Sequence, residues 1–115
     1  MQRATGDAGG KIIMATRKRN QRNDEVDWDE AKNEYNKRKH EGISFEEAQS
    51  VFDDPLAKTV DDLDHSYDER RYFTTGYSTN NRVLVLWHTY PDQGYRLIGA
   101  RKANKRERQS YEEGT

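Results

Sequence analysis

Cysteine is absent from this chain of 115 residues, and no apolar run is long enough to cross a membrane. Disulfides and thiolate chemistry are therefore excluded, which suits a protein kept in a reducing compartment. The first residues also lack the apolar core of a signal peptide. We expect a soluble, cytoplasmic protein that has no contact with the membrane.

Residue patterns that bind metals or phosphates are missing as well. The three histidines stand at positions 40, 65 and 88, and no pair of ligands has the spacing of one helix face. Asp61, Asp62 and Asp64 lack the glycine and the distal glutamate of a calcium loop. No glycine loop of the phosphate-binding kind is present. The sequence therefore predicts neither a metal nor another cofactor.

Apolar residues are few, at 31% of the chain against 36% charged residues, but twelve aromatic residues (seven Tyr, three Phe and two Trp) argue for one small folded domain. The net charge of −1 conceals an uneven distribution. Residues 26–69 contain five Lys or Arg and fourteen Asp or Glu, whereas residues 70–111 contain nine and two. The basic half is suited to bind phosphate or an acidic protein, although a solvated surface of mixed charge is the simpler explanation.

The domain organisation follows from composition and helix signals. Residues 1–25, rich in Gly, Ala, Asn, Gln and Arg, are interpreted as a disordered or weakly ordered extension, and residues 26–113 as a single domain. A first helix begins at Asp27–Glu30, which resembles an N-cap, and ends at Gly42. We expect its apolar stripe to consist of Trp28, Ala31 and Tyr35.

A second helix begins at the capping box of Ser44 and Glu47 and ends before Pro55. Residues 56–60 are compatible with a short strand. Three stronger strand patterns follow, over residues 71–77, 83–87 and 95–101, joined by short turns that make neighbours antiparallel. The middle one is apolar on both faces, which favours the central position in a sheet. Residues 103–113 predict a helix with only Ala103 and Tyr111 as anchors.

Several short motifs occur in a characteristic order. They are Trp28–Asp29, Asn36–x–x–Lys39–His40, Gly42–Ile43–Ser44–Phe45, Val51–Phe52–x–Asp54–Pro55–Leu56–Ala57, Asp62–x–x–His65–Ser66, Glu69–x–Arg71 and Ala100–Arg101–Lys102–Ala103–x–Lys105–x–Glu107–x–x–x–Tyr111. Each motif alone is weak, but their order and spacing together are specific. From about Trp28 to Tyr111 the chain resembles the BrnT toxin family.

The resemblance implies a compact α+β fold like that of RelE toxins, with a small antiparallel sheet flanked by two N-terminal helices and one C-terminal helix. It also implies a ribonuclease toxin of a type II toxin–antitoxin pair, which cuts RNA and arrests growth. A BrnA antitoxin with a ribbon-helix-helix part would neutralise it, and promoter DNA would be bound only through that antitoxin. Two positions depart from the family pattern: Glu41 is inserted between His40 and Gly42, and Gly99 replaces a serine.

RNA cleavage without a metal needs a base for the 2′-hydroxyl, an acid for the leaving 5′-oxygen and cations for the developing phosphorane charge. Four residues at the ends of the predicted strands supply these groups, and we predict them to be catalytic: His65, Glu69, Arg71 and Arg101. Each also has a simpler explanation. His65 would cap its acidic turn, Glu69 would pair with Arg71, and the arginines would be surface cations.

Six further residues are predicted RNA contacts: Lys39, His40, Arg96, Lys102, Arg106 and Tyr111. The scarcity of acids in this half of the sequence favours phosphate contact by its arginines. Lys39 and His40 would otherwise complement the helix dipole, and Tyr111 would either anchor the last helix or stack a base. His88 is interpreted as a structural histidine of the sheet.

Two other functions are compatible with these patterns. A catalytically degenerate toxin would act only as a corepressor together with its antitoxin, and the altered positions Glu41 and Gly99 motivate this alternative. A free-standing nucleic-acid-binding protein would bind without a partner and in a salt-sensitive manner.

Overall fold

The computed structural model describes residues 26–66, 69–89 and 94–114, and the predicted extension at residues 1–25 lies outside them. In chain order the elements are β1 (Val26–Asp27), α1 (Glu30–Lys39), α2 (Phe45–Gln49), β2 (Lys58–Asp61), β3 (Arg71–Tyr77), β4 (Val83–Thr89), β5 (Tyr95–Lys102) and α3 (Lys105–Glu113). Single 3₁₀ turns follow α2 (Ser50–Asp53) and β2 (Leu63–His65). This composition confirms the α+β class. Among the described helices none is both long and apolar enough for a membrane span.

The five strands form one sheet in the order β1-β5-β4-β3-β2. β4 is central and antiparallel to both neighbours, as its apolar sequence predicts. β1 pairs with β5 in parallel, so the prediction of a wholly antiparallel sheet is wrong at this edge. Parallel pairing requires a long connection, and nearly the whole domain lies between these two strands.

α1 begins two residues later than predicted and buries a different face. Asp29 is its N-cap and accepts from the N–H groups of Ala31 and Lys32 at 2.7 and 3.2 Å. Ala31 is exposed and Tyr35 is 54% exposed, whereas Asn33 and Asn36 are buried. The predicted stripe is therefore wrong for Ala31 and Tyr35, because the inner face of α1 is held by amide hydrogen bonds and not by apolar side chains.

Asn36 connects α1 to the sheet. Its Nδ2 donates to the carbonyl oxygens of Ile43 and Ala100, both at 2.9 Å, and its Oδ1 accepts from the Ala100 N–H at 3.0 Å. β1 pairs only with the first two residues of β5, so the Asn36 amide supplies partners to the edge of β5 further along. The C-terminal half of α1 is thereby held against β5.

The main core lies between the sheet and the first two helices. Ser44 caps α2 through the Glu47 N–H at 3.0 Å, as predicted. The Glu47 carboxylate does not complete the capping box, because it accepts from the Ser78 hydroxyl and from the Arg82 guanidinium instead. The fully buried residues of this core are Ile43, Phe45, Ala48, Val51, Leu84, Leu86, Leu97 and Ala100.

α3 covers only one end of the opposite sheet face. Tyr111 and Ala103 pack against Val83 and Val85, which confirms the two predicted anchors. Further along this face, beyond Val85, the strands carry side chains that α3 does not cover. An open cleft lies there.

Candidate active site

The cleft has a volume of about 300 Å³ and is lined by Asp62, His65, Arg71, Phe73, Trp87 and Arg101. Phe73 and Trp87 are direct cross-strand partners on β3 and β4. Arg101 pairs with Val85, one row closer to α3, and Arg71 pairs with Thr89, one row further away. Since alternate residues of a strand share a face, two aromatic rings lie between two arginines.

A histidine–aspartate pair forms one wall. The Nδ1 atom of His65 lies 3.0 Å from both carboxylate oxygens of Asp62. The Asp62 side chain is 8% exposed, whereas that of His65 is 60% exposed. A carboxylate can only accept, so Nδ1 carries the proton and Nε2 is left to exchange one with a substrate.

The turn that carries this pair is tied to the start of β3. The Asp62 N–H donates to the Arg71 carbonyl oxygen at 2.8 Å. The Ser66 hydroxyl donates to the Asp62 carbonyl oxygen at 2.7 Å and accepts from the Arg71 N–H at 2.9 Å. These hydrogen bonds fix the position of the turn that carries His65 relative to the start of β3, where Arg71 lies.

Arg101 is positioned by the first turn of α3. Its two terminal nitrogens donate to the two oxygens of Glu107 at 2.8 and 2.9 Å. Glu107 also completes a capping box with Asn104. The hydrogen bond from Arg101 lowers the pKa of Glu107, so the pair stays ionised. Nη1 of Arg101 also donates to the Lys102 carbonyl oxygen at 3.2 Å.

Arg71 is the one cleft cation without an ion-pair partner among the described residues. Its neighbour Arg70 points elsewhere and donates to Asp61 at 2.8 Å. A guanidinium with unused donors is suited to bind a phosphate in a bidentate manner.

His40 adjoins the cleft from α1. It is the C-cap residue of that helix, and its ring meets Trp87 edge-on with 6.0 Å between centroids. Burial, followed by the charges of Lys39 and Arg101, lowers the pKa of His40. This histidine is therefore neutral near pH 7 and able to donate or accept one hydrogen bond.

The remaining predicted residues lie outside the cleft lining. Glu69 is the ion-pair partner of Arg96, at 2.6 Å, and not of Arg71. Lys102 pairs with Glu41 at 3.4 Å, and Lys39 lies over the ring of Tyr35 at 5.7 Å from its centroid. Arg106 is exposed in the first turn of α3.

Acids thus pair with the predicted cations, and two of the three acids are distant in sequence. Glu69, Glu41 and Glu107 are the partners of Arg96, Lys102 and Arg101. The expectation of few acids near these cations is wrong for these three, because folding brings the acids to them.

Tyr111 has the packing role that was its alternative explanation. It is buried together with Ala103 against β4, its ring meets that of Tyr77 edge-on, and its hydroxyl donates to Asp54. Burial and this hydrogen bond raise the pKa of the tyrosine to about 12. The structure therefore does not present Tyr111 to an RNA base.

His88 is a structural histidine, as predicted. It is completely buried, its Nδ1 donates to the Thr89 carbonyl oxygen at 2.9 Å, and its Nε2 accepts from Thr74 at 2.7 Å. Burial lowers the pKa of His88. Among the described residues no three His, Asp or Glu side chains are grouped as a metal site.

Comparison with known families assigns the chain. The model of the family described as the ribonuclease toxin, BrnT, of type II toxin–antitoxin systems matches residues 28–107. The chain belongs to the BrnT family. Membership of a type II system implies an antitoxin partner, and the match includes every residue that lines the cleft.

Among solved structures, the chain is similar to the ribonuclease toxin BrnT of Brucella abortus. The identity is 18%, the TM-score is 0.53, and the match covers 70% of this chain and 96% of the Brucella BrnT. At this identity the likeness shows the fold alone. No curated protein matches the chain.

Sequence reasoning missed three residues of the BrnT cleft: Asp62, Phe73 and Trp87. Asp62 lies three residues before His65 in the motif Asp62–x–x–His65–Ser66, and that spacing is a usable signal. Phe73 and Trp87 were interpreted as strand residues, and no local pattern distinguishes a cleft aromatic residue from a core one.

Proposed function

We propose that the chain is a metal-independent endoribonuclease and the toxin of a type II pair. The observation that carries the proposal is the cleft, where His65, backed by Asp62, lies with Arg71 and Arg101 around an aromatic floor. A proton-exchanging imidazole beside arginines supplies the base and the cations that phosphodiester transfer requires.

In the proposed reaction the ribose 2′-oxygen attacks the adjacent phosphorus, and the bond from phosphorus to the 5′-oxygen breaks. The 2′-hydroxyl loses its proton as the 2′,3′-cyclic phosphate forms, and the leaving 5′-oxygen gains one. Nε2 of His65 takes the proton of the 2′-hydroxyl, Asp62 stabilises the imidazolium that results, and the leaving 5′-oxygen takes its proton from water. Arg71 and Arg101 contact the phosphoryl oxygens, where negative charge increases in the transition state.

Glu69 remains a predicted base, although its carboxylate holds Arg96 in the structure. Release of Glu69 toward the cleft would require that ion pair to open, so the proposal assigns the main proton transfer to His65. Both side chains of the pair are almost half exposed, which makes it a weak pair. Arg96 would then contact RNA beyond the cleft.

The outer RNA contacts in this proposal are Lys39, His40, Lys102 and Arg106. His40 is supported by its position against Trp87 and near Arg101. Lys39 and Arg106 are exposed at the ends of α1 and α3, and Lys102 would have to exchange Glu41 for a phosphate.

We further propose that a BrnA-like antitoxin with a ribbon-helix-helix part neutralises the toxin, and that promoter DNA is bound only through it. Unrestrained RNA cleavage would arrest growth. Membership of a type II toxin family supports the antitoxin partner. The proposal also includes a RelE-like arrangement of the toxin domain over residues 26–113.

The decisive experiment compares two adjacent arginines. Arg71→Ala removes the cleft cation for which the described residues offer no ion-pair partner, whereas Arg70→Ala removes an exposed one that is paired with Asp61. Purified protein should cut unstructured RNA equally in EDTA and in Mg²⁺ buffer. Arg71→Ala should lower the rate about 10²- to 10³-fold, and Arg70→Ala should leave it within about twofold. Equal activity of both variants would remove Arg71 from the site.

A corepressor without catalysis is the second candidate. The pairing of Arg96, Arg101 and Lys102 with acids favours it, because these cations are partly neutralised before any RNA arrives. This candidate predicts that cells lacking the antitoxin tolerate the wild-type chain, and that the purified protein binds antitoxin but cuts no RNA. Growth arrest that depends on Arg71 would exclude it.

A further inference from the structure

Trp87 occupies the space above a glycine of the neighbouring strand. Trp87 and Gly99 are cross-strand partners on β4 and β5. A Cβ atom added to Gly99 would lie 2.2 Å from Cζ2, 2.3 Å from Cε2 and 2.6 Å from Nε1 of the indole. Contacts this short do not occur, so any other residue at 99 would displace the ring.

Gly99 leaves room for the indole, and its backbone conformation does not itself require a glycine. The described glycines with left-handed φ angles are Gly42, Gly94 and Gly114. Gly99 has an ordinary strand conformation that every residue type can adopt. The absence of a side chain at Gly99 has one evident physical consequence, which is that the indole of Trp87 can lie directly above the backbone there.

The indole of Trp87 is part of the floor of the cleft and is not a core residue. Trp87 is only partly buried, whereas its neighbours on β4, Leu86 and His88, are completely buried. It lies in the middle row of the sheet face, with Arg101 on one side and Arg71 on the other. On the other neighbouring strand, β3, its cross-strand partner is Phe73, the second aromatic residue of the cleft.

An accessible aromatic ring between two guanidinium groups fits one nucleotide with its flanking phosphates. Nucleobases stack on aromatic side chains, and arginines on either side would hold the backbone that continues from the stacked base. The cleft volume of about 300 Å³ is at the small end of ligand sites, which extend from roughly 300 to 1,000 Å³. It has room for one base.

We propose that Trp87, seated on Gly99, is the platform on which one unpaired RNA base stacks, so that the substrate is single-stranded RNA. The inference rests on the proposed nuclease function and names its substrate class. A base within a duplex is covered on both faces by its neighbours and has to be unstacked before it reaches the indole.

Trp87 itself can report the contact. The chain has two tryptophans, and Trp28 packs edge-on against Phe45 in the main core with 6.0 Å between centroids. In a Trp28→Phe background all tryptophan fluorescence comes from Trp87. The probe is a short unstructured RNA with 2′-O-methyl groups, which lacks the attacking hydroxyl, and its duplex with the complementary strand is the comparison.

We expect the single strand to quench Trp87 fluorescence in a saturable manner and the duplex to bind at least about tenfold more weakly. Gly99→Ala in the same background should raise the Kd for the single strand by about 5- to 150-fold, the range measured for loss of one stacked base. Thermal unfolding of each variant checks that it is folded.

A second pair of variants separates stacking from general damage to the fold. Alanine has no ring for a Cβ at position 99 to displace, so in a Trp87→Ala background Gly99→Ala should change the Kd, measured by anisotropy of labelled RNA, by less than about twofold. An equal loss in both backgrounds overturns the inference. The inference is also overturned if the single strand binds but leaves Trp87 fluorescence unchanged, or if neither RNA binds.

The outcomes also distinguish this inference from the proposed nuclease. Quenching by single-stranded RNA without any cleavage of unmodified RNA would refute the nuclease and support the stacking platform. Cleavage by a protein whose Trp87 fluorescence does not respond to RNA, and in which Trp87→Ala has no effect on KM, would support the nuclease and refute the platform.

Discussion

Asn36→Ala should destabilise the protein by about 2.5 kcal/mol, although it replaces a polar residue in a helix by a better helix former. Asn36 is 3% exposed and makes three hydrogen bonds, to Ile43 and twice to Ala100. At about 1 kcal/mol for each bond the loss is about 3 kcal/mol, and the higher helix propensity of alanine returns about 0.5 kcal/mol.

Urea unfolding followed by circular dichroism measures this difference, and Lys32→Ala is the matched control. Lys32 is exposed on the same helix, so its replacement should change the free energy of unfolding by no more than about 0.5 kcal/mol. Asn36→Asp tests the amide itself. Its carboxylate would face the carbonyl oxygens of Ile43 and Ala100 without a proton to donate, and it should cost at least as much as alanine.

A loss below about 1 kcal/mol in Asn36→Ala, with an unchanged m-value, would refute this reasoning. It would mean that water satisfies the edge of β5 as well as the amide does. The side chain would then have no net part in holding α1, and with it His40, beside the cleft.

Two further predictions concern the cleft and the response to pH. Asp62→Asn should lower the cleavage rate about 10²-fold or more, because an amide no longer holds His65 with its proton on Nδ1; Asp64→Asn, an exposed acid of the same turn, should have little effect, and equal rates in kinetic assays of the two would contradict the role of Asp62. Hydrogen bonds from Arg82 and Ser78 lower the pKa of Glu47 below its ordinary 4.5, so its stabilisation is complete above that value and is lost as the pH falls through the lower folded value. Glu47→Gln should therefore be less stable near neutral pH and lose less stability between about pH 5 and pH 3 than the wild type, which urea unfolding at both values measures; parallel losses would contradict it.

Local sequence patterns determined the elements of this protein. The alternating and apolar runs of residues 71–77, 83–87 and 95–101 predict β3, β4 and β5 to within two residues at each end, because strand periodicity depends on neighbours along the chain. The order of short motifs was also sufficient for the BrnT family, which the family match confirms.

The tertiary structure decided which side chains meet. The buried asparagines of α1, the pairing of Arg101 with Glu107 and of Arg96 with Glu69, and the seat of Trp87 on Gly99 all depend on contacts across strands or between helix and sheet. A periodicity argument treats asparagine as a polar surface residue and tryptophan as a core residue, because the pattern contains no information about which residues each side chain contacts in the folded protein. The physical reason is that hydrogen bonds and ring contacts depend on distance in space, and only the folded chain sets that distance.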